Sequence, residues 1–178
     1  VLSVVDYGNV AVDNLMQERT VAHVTAMVAE TAATGAVPML VGGDTSVLYP
    51  GVRGIAQVSD EPFGLLHFSA HPDAVRDGDH TISDRQALFL LIDEGIVDGG
   101  ETIQIGLRGP DVDAETLQWV RDRKVLYHTM AEVQREGFAK VLKRVLREVD
   151  KGPDAFFVSI DVSALAPSEM IAAGRVAA

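Results

Sequence analysis

Apolar, β-rich runs alternate with segments of helical period along most of the chain, and this alternation narrows the fold more than any other feature. "VLSVV" (1–5) is followed by a helical pattern over 17–34, where Val21, Val24, Met27 and Val28 recur at three- and four-residue steps and Gly35 supplies the stop. "VPMLV" (37–41), a short helix after Ser46 and "GLLHF" (64–68) come next. The pattern continues with a helix near 84–94, the strand "TIQIGL" (102–107), a helix over 114–123, the strand "KVLYH" (124–128), one long helix from about 131 to 149, and "AFFVSI" (155–160). Several of these strands are apolar at every position rather than at alternate ones. That is the composition of strands covered on both faces, so the order predicts a mostly parallel sheet in a three-layer α/β/α sandwich.

No repeat and no low-complexity linker divides the 178 residues, which are expected to form one domain with a single core. A formal net charge of −11 disfavours phosphate backbones and anionic membranes, so neither nucleic acid nor lipid is expected as a partner. There is no cysteine, which excludes disulfides, thiolate metal sites and cysteine nucleophiles. No apolar run reaches the roughly 20 residues of a membrane-spanning helix, and the simplest location is the cytoplasm. The chain opens at Val1 on what reads as a strand already under way, so residues are expected to precede it.

Ligands of open α/β sheets bind beyond the carboxyl ends of the strands. Three runs here end in polar clusters: "VPMLVGGDTS" (37–46), "LLHFSAHPD" (65–73) and "FFVSIDVSALAP" (156–167). Taken alone, His71 and Asp73 read as polar residues ending a strand, and Asp161 as a carboxylate accepting backbone N–H groups in the loop after its own. Asp44 reads as a helix cap beside the turn made by Gly42 and Gly43. Trp119, on a helical period with Leu117 and Val120, reads as a core or subunit contact. The basic residues of 131–150 read as the solvent face of an amphipathic helix.

Taken together and in order, the clusters resemble the ureohydrolase family of arginases, agmatinases and formiminoglutamases. That family carries Gly-Gly-Asp-His-Ser, Asp-Ala-His-x-Asp and Ser-x-Asp-x-Asp at three strand ends; here stand "GGDTS" (42–46), "SAHPD" (69–73) and "SIDVS" (159–163). "VDYGN" (5–9), "IQIGLRG" (103–109) and "ALAP" (164–167) resemble three further family segments. The resemblance covers nearly the whole chain and implies an arginase-like fold, with parts of the family's N- and C-terminal regions outside these residues. It also implies a homo-oligomer, trimeric or hexameric, and a small guanidino compound as ligand.

The family holds two manganese ions with six side chains and hydrolyses a guanidinium or related C–N bond with a metal-bridging hydroxide. By this resemblance His71, Asp73 and Asp161 are retained metal ligands, and Thr45, Ser69 and Ser163 stand at degenerate ligand positions. Asp73 and His80 are the corresponding catalytic candidates, His80 lying where the family often carries a proton-shuttling loop histidine. Arg108 resembles a strand-end arginine with a structural part. Asn9 and Ala166 each replace an aspartate of the family's pattern. Neutral hydroxyls are poor donors for a divalent ion, so the expectation is a homologue that binds no manganese, or binds it weakly, and is not catalytic or only weakly so. The alternative is an active amidinohydrolase with an unusual centre, such as a single ion on His71, Asp73 and Asp161, releasing urea from an agmatine-, arginine- or guanidino-acid-like compound.

Overall fold

The computed structural model describes residues 3–76, 82–109 and 113–165. Its centre is a parallel four-stranded sheet of β1 (Gly64–Phe68), β2 (Thr102–Leu107), β3 (Leu126–Thr129) and β4 (Phe156–Ile160), in the order β3-β2-β1-β4. Among the described residues six α-helices accompany it: α1 (Gln17–Ala33), α2 (Leu48–Ala56), α3 (Ala87–Asp93), α4 (Ala114–Asp122), α5 (Met130–Glu136) and α6 (Phe138–Val149). No helix among the described residues is long and apolar enough to cross a membrane.

Two apolar clusters make the layers. On one face Leu65 of β1 packs with Leu48, Tyr49 and Val52 of α2, Leu88 and Leu91 of α3, and Trp119 and Val120 of α4; Trp119 stacks at a tilt on Phe89, with ring centroids 5.4 Å apart. On the other face Leu66, Ile103 and Ile105 meet Val141 and Val145 of α6. Leu65 and Leu66 are neighbours with opposite faces, as the two-residue period of a strand requires. Every residue of β2 is buried, which explains why apolar residues are not confined to alternate positions.

Three sequence expectations are corrected. Residues 3–5 of the first expected strand and 37–41 of the second are irregular, and Val4, Val5, Val37, Met39 and Val41 are exposed. An apolar, β-branched run becomes a strand only against a paired neighbour, and no described strand pairs with either run. Leu40 does turn inward, toward α2 and Phe157: a side chain added at Gly51 would meet both at 3.3 Å. The long helix expected from 131 to 149 is two helices. They are divided at Gly137, whose φ of +86° is one that glycine adopts without the clash a side chain brings.

Chain direction fixes where a site can lie. From β1 the sheet grows through β2 to β3 on one side, and the chain then returns over α5 and α6 to place β4 on the other side of β1. The connection leaving β1 runs to α3 on one face, and the connection arriving at β4 comes over α6 on the other. The crevice at the ends of β1 and β4 is the topological switch point at which open α/β sheets bind ligands.

Candidate functional site

The ends of β1 and β4 are level. Phe68 pairs with Ile160, the Asp161 N–H donates to the Phe68 carbonyl at 2.8 Å, and the Ser69 N–H donates to Ile105 of β2 at 3.0 Å. Ser69 and Asp161 thus leave adjacent strands side by side. The third cluster arrives on the turn Thr45–Val47, whose cap is Asp44: its carboxylate accepts the Ser46 N–H at 2.9 Å, as the sequence suggested.

Asp161 Oδ2 is where these elements meet. It accepts the Ser163 hydroxyl at 2.7 Å, the Thr45 hydroxyl at 3.1 Å and the Ser69 hydroxyl at 3.4 Å, while Oδ1 accepts the Ser163 N–H at 2.9 Å. Burial pushes the Asp161 carboxyl up, but the Ser163 N–H, the Ser163 and Thr45 hydroxyls and the neighbouring His67 outweigh it and hold the group below its ordinary range. Backbone acceptance, the bland role the sequence allowed Asp161, is therefore real and is one part of a larger arrangement.

Asp73 is the second carboxylate, and it is buried. Its Oδ2 lies 3.0 Å from His67 Nε2 and accepts the Ser69 hydroxyl at 3.2 Å. Its φ of +47° is uncommon for a residue with a side chain, and the turn it makes has a second anchor. The Asp73 carbonyl accepts the Leu88 N–H at 2.8 Å, at the start of α3. Backbone and side chain thus tie one residue to a helix start and to the strand-end cluster.

His71 is buried between these groups. Its N–H donates to Ser69 Oγ at 3.1 Å, and its carbonyl accepts from Gln104 Nε2 at 2.6 Å. Arg108, beyond β2, donates to the carbonyls of Ser163 (2.7 Å), Leu165 (2.8 Å) and Ala164 (3.3 Å), bracing the loop that carries Asp161. Before it, Gly106 stands at a register shift with φ +107°, and a side chain there would lie 3.1 Å from the Ser69 carbonyl. Close approach of β2 to the site loop requires glycine here.

The structure thus brings Thr45, Ser69, His71, Asp73, Asp161 and Ser163 to one sheet edge. His80, with Asp77 and Asp79, lies outside the described residues, as do Ala166 and Pro167. Sequence reasoning missed His67 and Gln104, paired across β1 and β2 and both fully buried. Their signal was present: each is a large polar residue flanked by apolar ones inside a strand, and such a residue must find partners inside the fold.

Known proteins carry the same arrangement of elements. The formimidoylglutamase of Bacillus subtilis is 29% identical over 129 residues, which is 72% of this chain and 40% of that protein. Guanidinopropionase of Pseudomonas aeruginosa is 30% identical over 165 residues, 92% of this chain and 51% of that protein. The chain therefore spans about half the length, or less, of these relatives. The crystal structure of the Bacillus subtilis formimidoylglutamase superposes with a TM-score of 0.89 at 24% identity, covering 96% of this chain and 54% of that one. A crystal structure of Trypanosoma cruzi formiminoglutamase with Mn2+ superposes at 0.85 and 24% identity, covering 97% and 57%. The model of the Arginase family matches residues 1–178, and the chain belongs to that family.

Proposed function

We propose that this chain is a ureohydrolase-family protein whose binuclear manganese centre is degenerate, and that it acts by binding or assembly rather than by turnover. One observation carries the reading. Thr45, Ser69 and Ser163, the three positions where the family resemblance expects an imidazole and two carboxylates, all direct hydroxyls at the one carboxylate oxygen Asp161 Oδ2.

The donor set does not fit two manganese ions. By the resemblance one ion takes positions 45, 69, 73 and 161 and the other 69, 71, 161 and 163, with 69 and 161 bridging. Each ion keeps two of its four side chains, and the bridge through position 69 is a neutral hydroxyl. Divalent ions recover their dehydration cost from anionic or strongly basic donors, which hydroxyls are not. Among the described residues no group of three or more histidine, cysteine, aspartate or glutamate side chains gathers as a metal site. A single ion on His71, Asp73 and Asp161 is disfavoured on the same ground. Without a metal to lower the pKa of water, the site has no activated hydroxide.

What remains suits a homo-oligomeric protein with a small guanidino compound as its ligand and no nucleic-acid partner, in keeping with a net charge of −11. Calorimetric titration with Mn2+ and a urea-release assay on arginine, agmatine and guanidinobutyrate test the proposal together. The expected result is no saturable heat and no urea. A tight two-ion isotherm, or turnover on the order of 1–10³ per second, overturns it.

A further inference from the structure

We infer that Asp161 is a metal-independent clasp, a single carboxylate that fastens three distant stretches of chain at the sheet edge through neutral hydroxyls. The inference rests on the reading of a centre without manganese and goes on to say what the former ligand positions do instead. Thr45 is 116 residues from Asp161 in sequence and Ser69 is 92, so each contact joins loops that chain connectivity leaves independent. Among the contacts shown, no other atom links all three stretches.

The geometry is that of a carboxylate on which several donors converge. An ionised aspartate offers about four acceptor directions. Four donors converge on it here, the Ser163 N–H on Oδ1 and three hydroxyls on Oδ2, of which Ser163 at 2.7 Å and Thr45 at 3.1 Å are the close ones and Ser69 at 3.4 Å the weakest. Ser69 has one proton for two acceptors and divides it between Asp161 at 3.4 Å and Asp73 at 3.2 Å, which couples the carboxylates through a neutral bridge. The hydroxyl oxygens are used as well: Ser69 Oγ accepts the His71 N–H at 3.1 Å, and Ser163 Oγ accepts the Ala70 N–H at 3.2 Å. Thr45, Ser69 and Ser163 are all buried, so these donors meet little competition from water. Arg108 holds the other side of the same loop by its carbonyls. Hydroxyl donors do here what a dication would otherwise do, which is to let a buried and a half-buried carboxylate stand close together.

The test is a thermal-unfolding cycle on the 178-residue chain in EDTA and in excess manganese chloride. The clasp predicts equal Tm values in the two buffers. It predicts that Asp161→Ala lowers Tm by roughly 5–10 °C, the size expected for losing hydrogen bonds to a charged group in a chain of this length. Thr45→Val lowers Tm less and has no further effect once Asp161 is alanine, because the two changes remove one interaction. Should Asp161→Ala fail to accumulate folded, Asp161→Asn in the same cycle with Thr45→Val supplies the coupling. Losses that simply add, or an unchanged Tm in Asp161→Ala, overturn the clasp and leave the metal-free reading standing. A Tm that rises in manganese and falls in EDTA strikes the metal-free reading itself and the clasp with it.

Discussion

Two polar clusters in this molecule solve the same problem by different means. At the carboxyl edge of β1 and β4, two aspartates are surrounded by hydroxyls and N–H groups, and none of the partners shown for Asp161 carries a full charge. Behind β3, the turn into α5 and the face of α6 carry a cluster of opposite charges. His128 lies between Glu132 at 3.1 Å and Glu148 at 3.2 Å, Arg144 bridges Glu132 and Glu136, and Lys140 and Arg135 also reach Glu136. The difference is one of partner. Solvent screens the outer members of the helix cluster, so charge pairs there contribute modestly. At the strand ends, where Asp73 is buried and Asp161 half-buried, an unpaired charge would be costly; hydroxyls and a backbone N–H supply the contacts shown to Asp161, and His67 stands beside Asp73.

Adding charge at the strand ends has the largest expected effect. Thr45→His, Ser69→Asp and Ser163→Asp made together write the family's ligand types back into the site and place two new carboxylates beside Asp73 and Asp161. In EDTA the triple variant is expected to lose about 3–5 kcal/mol, the scale for buried charge without compensation, measured by urea unfolding. Adding manganese is expected to restore much of this loss while urea release stays undetectable, because ligand orientation and substrate positioning need more than the donor atoms. A triple variant as stable in EDTA as the parent chain would mean that the strand-end site is open enough for water to screen it, and the contrast between the clusters would disappear.

At the other cluster, His128 is the buried member and its ring joins β3 to both helices. His128→Gln keeps a polar group but cannot reach both glutamates, and a loss of about 1–3 kcal/mol is expected by chemical denaturation. This is smaller than for the triple variant, since Glu132 keeps Arg144 and the Thr129–Glu132 cap remains. A loss equal to that of the triple variant would place the two clusters in the same dielectric regime.

How far the chain could be read in advance follows the same division between local and relational signals. β1 and β2 were legible because burial on both faces puts apolar residues on both, and the switch-point site was legible because three polar clusters follow apolar runs. Residues 37–41 have that apolar composition too, yet Val37, Met39 and Val41 are exposed and unpaired among the described strands. Composition records what a segment suits, whereas a strand is a relation between two segments. His67 went unread for the opposite reason: a histidine six residues before an aspartate gives no sign that backbone geometry, with Asp73 at φ +47°, will turn the carboxylate back onto it. The break at Gly137 was visible as a glycine within a helical pattern, but α6 keeps its apolar period across the junction with α5 and hides the interruption.

The smallest expected effect concerns pH at the outer edge of the helix cluster, and it completes the contrast. Glu136 faces Lys140, Arg144 and Arg135, and these cations together hold its carboxyl down to about 2. Its folded value is therefore depressed below the ordinary one. The sign follows: whatever Glu136 contributes to stability is fully present above its ordinary unfolded range, and is lost as pH falls from there through about 2. Carboxyl titration by NMR at low ionic strength is expected to find Glu136 still ionised at pH 3, with Glu136→Gln removing the corresponding part of the acid dependence of unfolding. Raising salt to about 1 M shortens the Debye length to roughly 3 Å and should move the Glu136 midpoint toward the ordinary glutamate range, while Asp161, held by hydroxyls and a backbone N–H, should move less. Equal salt shifts at Glu136 and Asp161 would show that both clusters are governed by charge alone, contrary to the contacts each one makes.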